Sequence, residues 1–223
     1  MKKMVFKKMI VKSMLIATIS CMAGTKTIAQ TATESIKSTF PAFDTAKTYS
    51  QRMPLATQLK LIASKWPNEW LANYYAAYAL IELSFDEKDK NKEDAILDEA
   101  EIYFRKIEPL AKTNEEISIL GAYLASARIS AKPSAYKKYG DIREEYLDAA
   151  KKMNPNNPRI YLIEANSAYY KPKMFGGGPK KALLLYEKAA SLFNAEDKSN
   201  VAKPYWGTIY NNHMLNQCKE DLK

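Results

Sequence analysis

The chain has 223 residues, enough for one or two ordinary domains with a substantial core. Apolar side chains make up 47% of it and charged side chains 26%, which excludes a disordered, collagen-like or multi-span membrane protein. One histidine and two cysteines exclude a disulfide-stapled scaffold and a multi-His/Cys metal site. The formal net charge is +9, but six lysines lie within residues 1–29, and the remainder carries only +3. Because nucleic-acid binding needs a concentrated basic face, we predict no nucleic-acid partner.

Residues 1–29 have the pattern of a secretory signal peptide. Five lysines precede the uncharged run 13–25, and the small residues Thr27 and Ala29 precede the predicted cleavage site. This run is shorter than the roughly 18 residues that a membrane span needs. We therefore predict export to the periplasm or the medium, with no membrane span. The alternative is a membrane-anchored lipoprotein lipidated at Cys21, although Thr18 stands where a lipobox carries Leu, Val or Ile.

The rest of the chain reads as a short tether followed by helices. Residues 30–42 are rich in Ser, Thr and Ala and predict a flexible tether that leads into one domain over 43–223. Apolar residues then recur at helical spacing between Gly and Pro punctuation, and the alternation typical of strands is absent. The predicted helices cover residues 44–65, 69–85, 92–112, 115–131, 134–153, 158–171, 179–193 and 203–219.

Two rows of small and apolar residues repeat along these helices. The triplets that recur at i, i+4, i+7 are Leu55/Leu59/Ile62, Ala100/Phe104/Ile107, Ile142/Tyr146/Ala149 and Ala182/Tyr186/Ala189. Their middle members are 45, 42 and 40 residues apart. An alanine follows each of the first three at 18 or 19 residues, namely Ala77, Ala122 and Ala165. Because the two rows repeat with nearly the same spacing, we predict an internal repeat of helix pairs.

At these positions the sequence resembles the tetratricopeptide repeat family. The three alanines match the small residues of that family's first helix, and the aromatic triplets match its second helix. Pro67 and Pro155 match its terminal proline. The period is near 42 rather than about 34, and Gly121 lies one position early. The resemblance implies an all-α, right-handed solenoid of about four antiparallel helix pairs; a HEAT-like solenoid is the alternative.

Catalytic and metal-binding patterns are missing from the sequence. Gly176 to Gly178, before Pro179 and two lysines, are read either as an anion site at a helix start or as a widened turn with Phe175 packed back onto the hairpin. The turn is favoured, since the spacing of a phosphate-binding P-loop is absent. His213 has no partner at catalytic spacing. We predict no catalytic residue, no cofactor and no metal, and hence no enzyme.

A solenoid of this kind has a groove along its first helices, and the resemblance places tyrosines there. The predicted groove residues are Tyr74, Tyr78, Tyr123, Ser126, Asn166 and Tyr170. Tyrosine combines a rigid apolar ring with one hydrogen-bonding group, which suits contact with a partner. We predict a non-enzymatic exported scaffold that binds a protein or peptide partner in this groove. One alternative is a periplasmic small-molecule-binding accessory protein of a transporter; another is an enzyme whose site forms only in three dimensions.

Overall fold

The computed structural model describes residues 31–197 and 203–223, so the predicted signal peptide and Cys21 lie outside the described residues. Within those ranges the chain forms α-helices and short 3-10 segments and no strand, which confirms the all-α class. No helix of the described ranges is long and apolar enough to cross a membrane. The helices are α1 (Ala32–Thr45), α2 (Tyr49–Lys65), α3 (Trp70–Asp86), α4 (Lys90–Ile107), α5 (Glu115–Ala131), α6 (Tyr136–Met153), α7 (Pro158–Tyr170), α8 (Pro179–Ala195) and α9 (Thr208–Glu220). The 3-10 segments are Glu108–Lys112, Pro133–Ala135 and Lys173–Phe175.

Helix α1 replaces most of the predicted flexible tether over residues 30–42, and this prediction is wrong for the described part. The Thr31 side chain accepts a hydrogen bond from the Glu34 amide, and the Glu34 carboxylate accepts one from the Thr31 amide. Such a capping box satisfies two amides that a helix start otherwise leaves unpaired. Phe40 and Phe43 are buried on the face that α1 turns to the core. The helix therefore forms despite the Ser- and Thr-rich composition.

Helices α3, α5 and α7 form a central row, and the other helices pack around it. α3 packs against α4, α5 against α6 and α7 against α8, while α3 also contacts α5 and α5 contacts α7. Almost every residue from 71 to 84 of α3 is buried, as expected of a helix that has neighbours on all sides. By contrast, α4 and α6 bury a single stripe. The solenoid geometry and its handedness stay predictions.

Three of the four triplets of the sequence repeat lie in or against the core. In the remaining triplet, Tyr146 packs against the core, whereas Ile142 and Ala149 are half-buried outside it and α6 buries Leu147 and Ala150 instead. Leu59, Phe104 and Tyr186 are buried, and Tyr146 packs edge-on against Phe104 with ring centroids 5.8 Å apart. Gly121 of α5 makes this packing possible, because a Cβ there would lie 2.9 Å from both rings. The glycine that departs from the repeat pattern thus fits the place where two aromatic side chains approach the backbone most closely.

Residues 203–207, here called the return segment, run back across the central row before α9 begins. The Tyr205 amide donates a hydrogen bond to the Tyr75 hydroxyl at 3.1 Å. The Trp206 indole N–H donates to the Tyr74 hydroxyl at 2.7 Å. These contacts join the C-terminal part of the chain to α3. The predicted helix over 203–219 therefore starts later, at Thr208, because its first residues are used to cover the core.

Candidate functional site

The predicted groove residues do not line one open groove, because the return segment covers three of them. Tyr74, Tyr78 and Tyr123 lie together on α3 and α5, with the rings of Tyr78 and Tyr123 stacked at 6.0 Å. All three are buried. The Trp206 ring lies 4.8 Å from that of Tyr78 and 5.2 Å from that of Tyr123. This aromatic stack is core packing, and it forms the floor beneath the surface residues described next.

The other three predicted residues have separate surroundings. The Ser126 hydroxyl donates to the Ala122 carbonyl within α5, at 2.9 Å. The Asn166 side-chain oxygen accepts a hydrogen bond of 2.6 Å from the Tyr186 hydroxyl, which joins α7 to α8. Tyr170, the last residue of α7, is 68% exposed. Of the three, Tyr170 alone presents a large ring to solvent.

Tyr170 belongs to a group of aromatic residues contributed by four helices, which we call the aromatic face. Its members are Phe85 of α3, Tyr123 of α5, Tyr170 of α7 and Tyr210 of α9. Phe85 is exposed and its ring lies 5.7 Å from that of Tyr123. Burial of the phenol end raises the pKa of Tyr210, and the neighbouring Tyr170 phenol raises that pKa further. The sequence analysis missed Phe85 and Tyr210, since neither occupies a groove position of the repeat.

A cluster of charged side chains lies beside the aromatic face and contacts the Tyr123 hydroxyl. The Tyr123 hydroxyl donates a hydrogen bond to the Glu82 carboxylate. Arg52 pairs with Glu82 at 3.3 Å and with Asp86 at 3.1 Å. Burial raises the pKa of Glu82, while its hydrogen bond from Tyr123 and the Arg52 charge act in the opposite direction. Burial and the Glu82 charge also raise the pKa of Tyr123, so this phenol is a neutral hydrogen-bond donor at neutral pH.

Asp44 of α1 is a further acid near this group. Burial and the charge of Glu82 raise its pKa to about 6, although Arg52 and Arg159 favour the ionised form. The ionised Asp44 carboxylate is therefore less stable in the folded protein than in the unfolded chain. That difference makes stability depend on pH in the weakly acidic range.

We expect Asp44→Asn to stabilise the protein at neutral pH by about 1–3 kcal/mol. The folded pKa is raised, so the wild-type penalty is absent below the unfolded value of 3.8 and complete above about 6. The advantage of the variant should accordingly vanish in acid and grow as the pH rises through this window. Thermal melts of both proteins across the window provide the measurement. An advantage that stays constant with pH would contradict the assignment.

A buried ion cluster holds the return segment in place. The Arg159 guanidinium is fully buried and pairs with Glu196 at 2.6 Å and with Glu116 at 3.4 Å. It also donates to the Pro204 carbonyl at 2.7 Å and lies over the Trp206 ring at 5.5 Å. One buried cation thus contacts the segment that supports the aromatic face. Its two carboxylate partners supply the counter-charge that such a position requires.

A depression lies between α4, α5 and α6, and it has a volume of about 280 Å³. Phe104 and Tyr146 form part of its wall. Arg128 also lines it, but is already held by Asp98 at 2.7 Å and by Glu101 at 2.9 Å. Pockets for drug-sized ligands start at roughly 300 Å³. The cleft is therefore a small depression whose cation is already ion-paired, and it is a weaker candidate for a binding site than the aromatic face.

Metal-binding and catalytic groupings are sparse in the described ranges. No set of three or more His, Cys, Asp or Glu side chains there could hold a metal ion. His213 is exposed on α9, one turn after Tyr210. Cys218 is a buried free thiol, and burial raises its pKa. Each of these side chains offers at most one ligand to a metal. The aromatic face is therefore the better candidate for a binding site.

The fold and the site together define a class: an all-helical protein whose central helices end at a shared, partly exposed aromatic face. No protein-family model matches the chain, and no curated protein matches it either. Among solved structures, the chain is similar to the HusA haemophore from Porphyromonas gingivalis, with a TM-score of 0.70. The two sequences are 32% identical, and the match covers 85% of this chain and 94% of the other. The chain belongs to the family of this haemophore.

This similarity corrects the principal functional prediction. A scaffold that binds a protein or peptide partner is wrong, because the neighbour is named for binding haem, which is a small molecule. The similarity supports the alternative of a small-molecule-binding protein instead. It points to a binding protein and not to an enzyme. It does not support the tetratricopeptide relationship, whereas the helical character of the chain is confirmed.

Proposed function

We propose that the chain is an exported haem-binding protein that holds the flat porphyrin ring on its aromatic face. The observation that carries this proposal is the similarity to the HusA haemophore over 94% of that chain. Export is supported by the signal-peptide pattern of residues 1–29. The predicted right-handed solenoid belongs to the proposal as well, since stacked helix pairs would bring the ends of α3, α5 and α7 to one surface.

The aromatic face has side chains of the kind that pack on a porphyrin. Haem is a flat, largely apolar ring, and aromatic side chains pack on such rings in offset or edge-to-face arrangements. Phe85, Tyr170 and Tyr210 expose ring surface there, and Tyr123 rests on the Trp206 stack beneath them. This floor is buried and hydrogen-bonded, so the surface is organised before the ligand arrives.

The polar groups at the edge of the face are largely engaged within the protein. The phenols of Tyr123 and Tyr210 have raised pKa values and stay protonated at neutral pH, but the Tyr123 hydroxyl already donates to Glu82. Arg52 is likewise paired with Glu82 and Asp86. A protonated phenol is a poor iron ligand, and the chain's one imidazole, that of His213, is exposed on α9, one turn after Tyr210. We therefore assign most of the affinity to ring packing rather than to an iron–protein bond.

Replacing both Tyr170 and Tyr210 with alanine is expected to weaken haemin binding about tenfold or more, because each ring contact contributes about 0.5–1.5 kcal/mol. The measurement is a titration of the chain from Gln30 onward with haemin, followed by the absorbance of the bound ring. The matched control is Tyr136→Ala on α6, which removes an exposed tyrosine that is not a member of the aromatic face. This control should bind haemin as the wild type does.

Two outcomes would overturn the proposal. Equal haemin affinity in the wild type and in the double variant would show that the ligand does not use the aromatic face. Loss of binding in His213→Ala, with a changed iron spectrum, would replace ring packing by iron coordination as the main source of affinity. Unchanged affinity in His213→Ala, together with weak binding by the double variant, supports the assignment.

A further inference from the structure

The loop between α7 and α8 exposes two large apolar side chains at its tip. This loop and the first residues of α8, together residues 171–181, are here called the lysine loop. Met174 is 84% exposed and Phe175 is 62% exposed. The sequence predicts that Phe175 packs back onto the hairpin, and the structure shows instead that it points away from the core. Apolar side chains exposed to this degree at a loop tip are typical of a surface that meets another phase or molecule.

The backbone of the lysine loop is ordered by hydrogen bonds rather than left free. The Gly178 amide donates to the Ala168 carbonyl at 2.7 Å, and the amides of Phe175 and Gly177 both donate to the Pro172 carbonyl, at 2.9 and 3.3 Å. A Cβ on Gly177 would lie only 2.0 Å from a backbone oxygen of the loop. The glycines therefore allow a tight turn that holds the tip outward. An ordered turn lowers the entropic cost of presenting Met174 and Phe175 to a partner.

The charge around this tip has one sign. The basic residues of the loop are Lys171, Lys173, Lys180 and Lys181. No acidic residue occurs between Glu164 and Glu187. None of these lysines forms an ion pair with any other residue that the structure describes. An apolar tip surrounded by uncompensated lysines complements a surface that is apolar inside and negatively charged outside.

We propose that the lysine loop docks the protein on an anionic lipid surface. Met174 and Phe175 enter the interface between headgroups and acyl chains, and the lysines contact the lipid phosphates. The proposal stands independently of haem binding, because it uses the loop rather than the aromatic face. It concerns surface attachment and needs no membrane-spanning helix.

The test is sedimentation of the chain from Gln30 onward with lipid vesicles. That form contains every residue of the described core and lacks the predicted signal peptide, which would bind lipid by itself. One set of vesicles contains phosphatidylglycerol and phosphatidylcholine in equal parts, and the other contains phosphatidylcholine alone. We expect binding to the first set and far weaker binding to the second. Binding should also fall as salt concentration rises.

Three variants separate the apolar and charged contributions. Replacing Met174 and Phe175 with serine should lower the vesicle partition coefficient about tenfold. Lys180→Gln and Lys181→Gln should lower it about fivefold each. The matched control replaces Met53 and Leu61, which are exposed on α2, with serine and should leave partitioning unchanged. Circular dichroism of each variant checks that the helices are retained.

Three results would overturn the proposal. The first is equal binding to neutral and anionic vesicles, since the lysines would then contribute nothing. The second is an equal loss in the α2 control, which would make the effect a general one of surface hydrophobicity. The third is absence of vesicle binding by the wild type, which would leave the exposed tip to a protein surface instead.

Discussion

Replacing Trp206 with alanine should lower the free energy of unfolding by about 3–5 kcal/mol. The Trp206 side chain is 2% exposed, although the residue lies in a segment without helical structure. Its ring contacts those of Tyr78 and Tyr123, and its N–H satisfies the buried Tyr74 hydroxyl. Truncation would leave a large cavity at the centre of the aromatic stack and an unsatisfied hydroxyl beside it. Urea denaturation followed by circular dichroism gives the value.

A milder replacement divides the Trp206 effect into its two parts. Trp206→Phe keeps most of the ring contact and removes the hydrogen bond to Tyr74. We expect it to cost about 1–3 kcal/mol, clearly less than the alanine variant. The alanine variant should also weaken haemin binding, because Tyr123 of the aromatic face rests on this ring. A loss below about 1 kcal/mol for alanine would mean that the return segment is not part of the core.

The second large effect is expected for Arg159→Met, which should destabilise the protein by about 3–5 kcal/mol. The substitution leaves Glu116 and Glu196 without the cation that they share. Burial already raises the pKa of Glu116, while the Arg159 charge lowers it. Without that charge the folded-state pKa of Glu116 rises further. The loss of stability should therefore be largest at high pH and diminish as the pH falls and Glu116 becomes protonated.

Two further variants test whether the uncompensated charge is the cause. Arg159→Met combined with Glu116→Gln should recover part of the lost stability, because the remaining buried carboxylate at this position becomes neutral. Arg105→Met provides the matched control: Arg105 also pairs with a glutamate, Glu101, but does so at the exposed surface. Its replacement should leave the free energy of unfolding nearly unchanged. A pH-independent loss for Arg159→Met would indicate lost packing rather than lost charge.

The bounds of a helix could be predicted from the sequence where local residues mark its start or its end. The range 115–131 predicted for one helix coincides with α5, and the predicted start at 179 is that of α8, where Pro179 occupies the first helical position. The sequence does not predict α1, because the Ser- and Thr-rich composition of residues 30–42 is typical of a tether and the capping box at Thr31 is a shorter signal. The 3.6-residue spacing is a local property, so these elements needed no knowledge of the rest of the chain.

The candidate site was only partly predictable, because its floor depends on contacts far apart in the sequence. Tyr123 and Tyr170 are predicted groove residues that also belong to the aromatic face, whereas the sequence does not predict the residues that surround them. The contact that closes the expected groove joins Trp206 to Tyr74, across 132 residues. No periodic pattern in the sequence predicts such a contact. The place of Phe85 in the aromatic face could not be predicted for the same reason, since its neighbour Tyr123 lies on another helix.

The return segment also determines how the molecule comes apart. In an array of hairpins held only by adjacent hairpins, each end can fray while the middle persists. Here Tyr205 bonds to Tyr75 across 130 residues, so detaching the C-terminal end uncovers the aromatic centre of α3 at the same time. Local opening is thereby converted into global opening. We therefore expect the chain to unfold in one all-or-none transition, as a closed globule does, rather than to unravel gradually as an open array would.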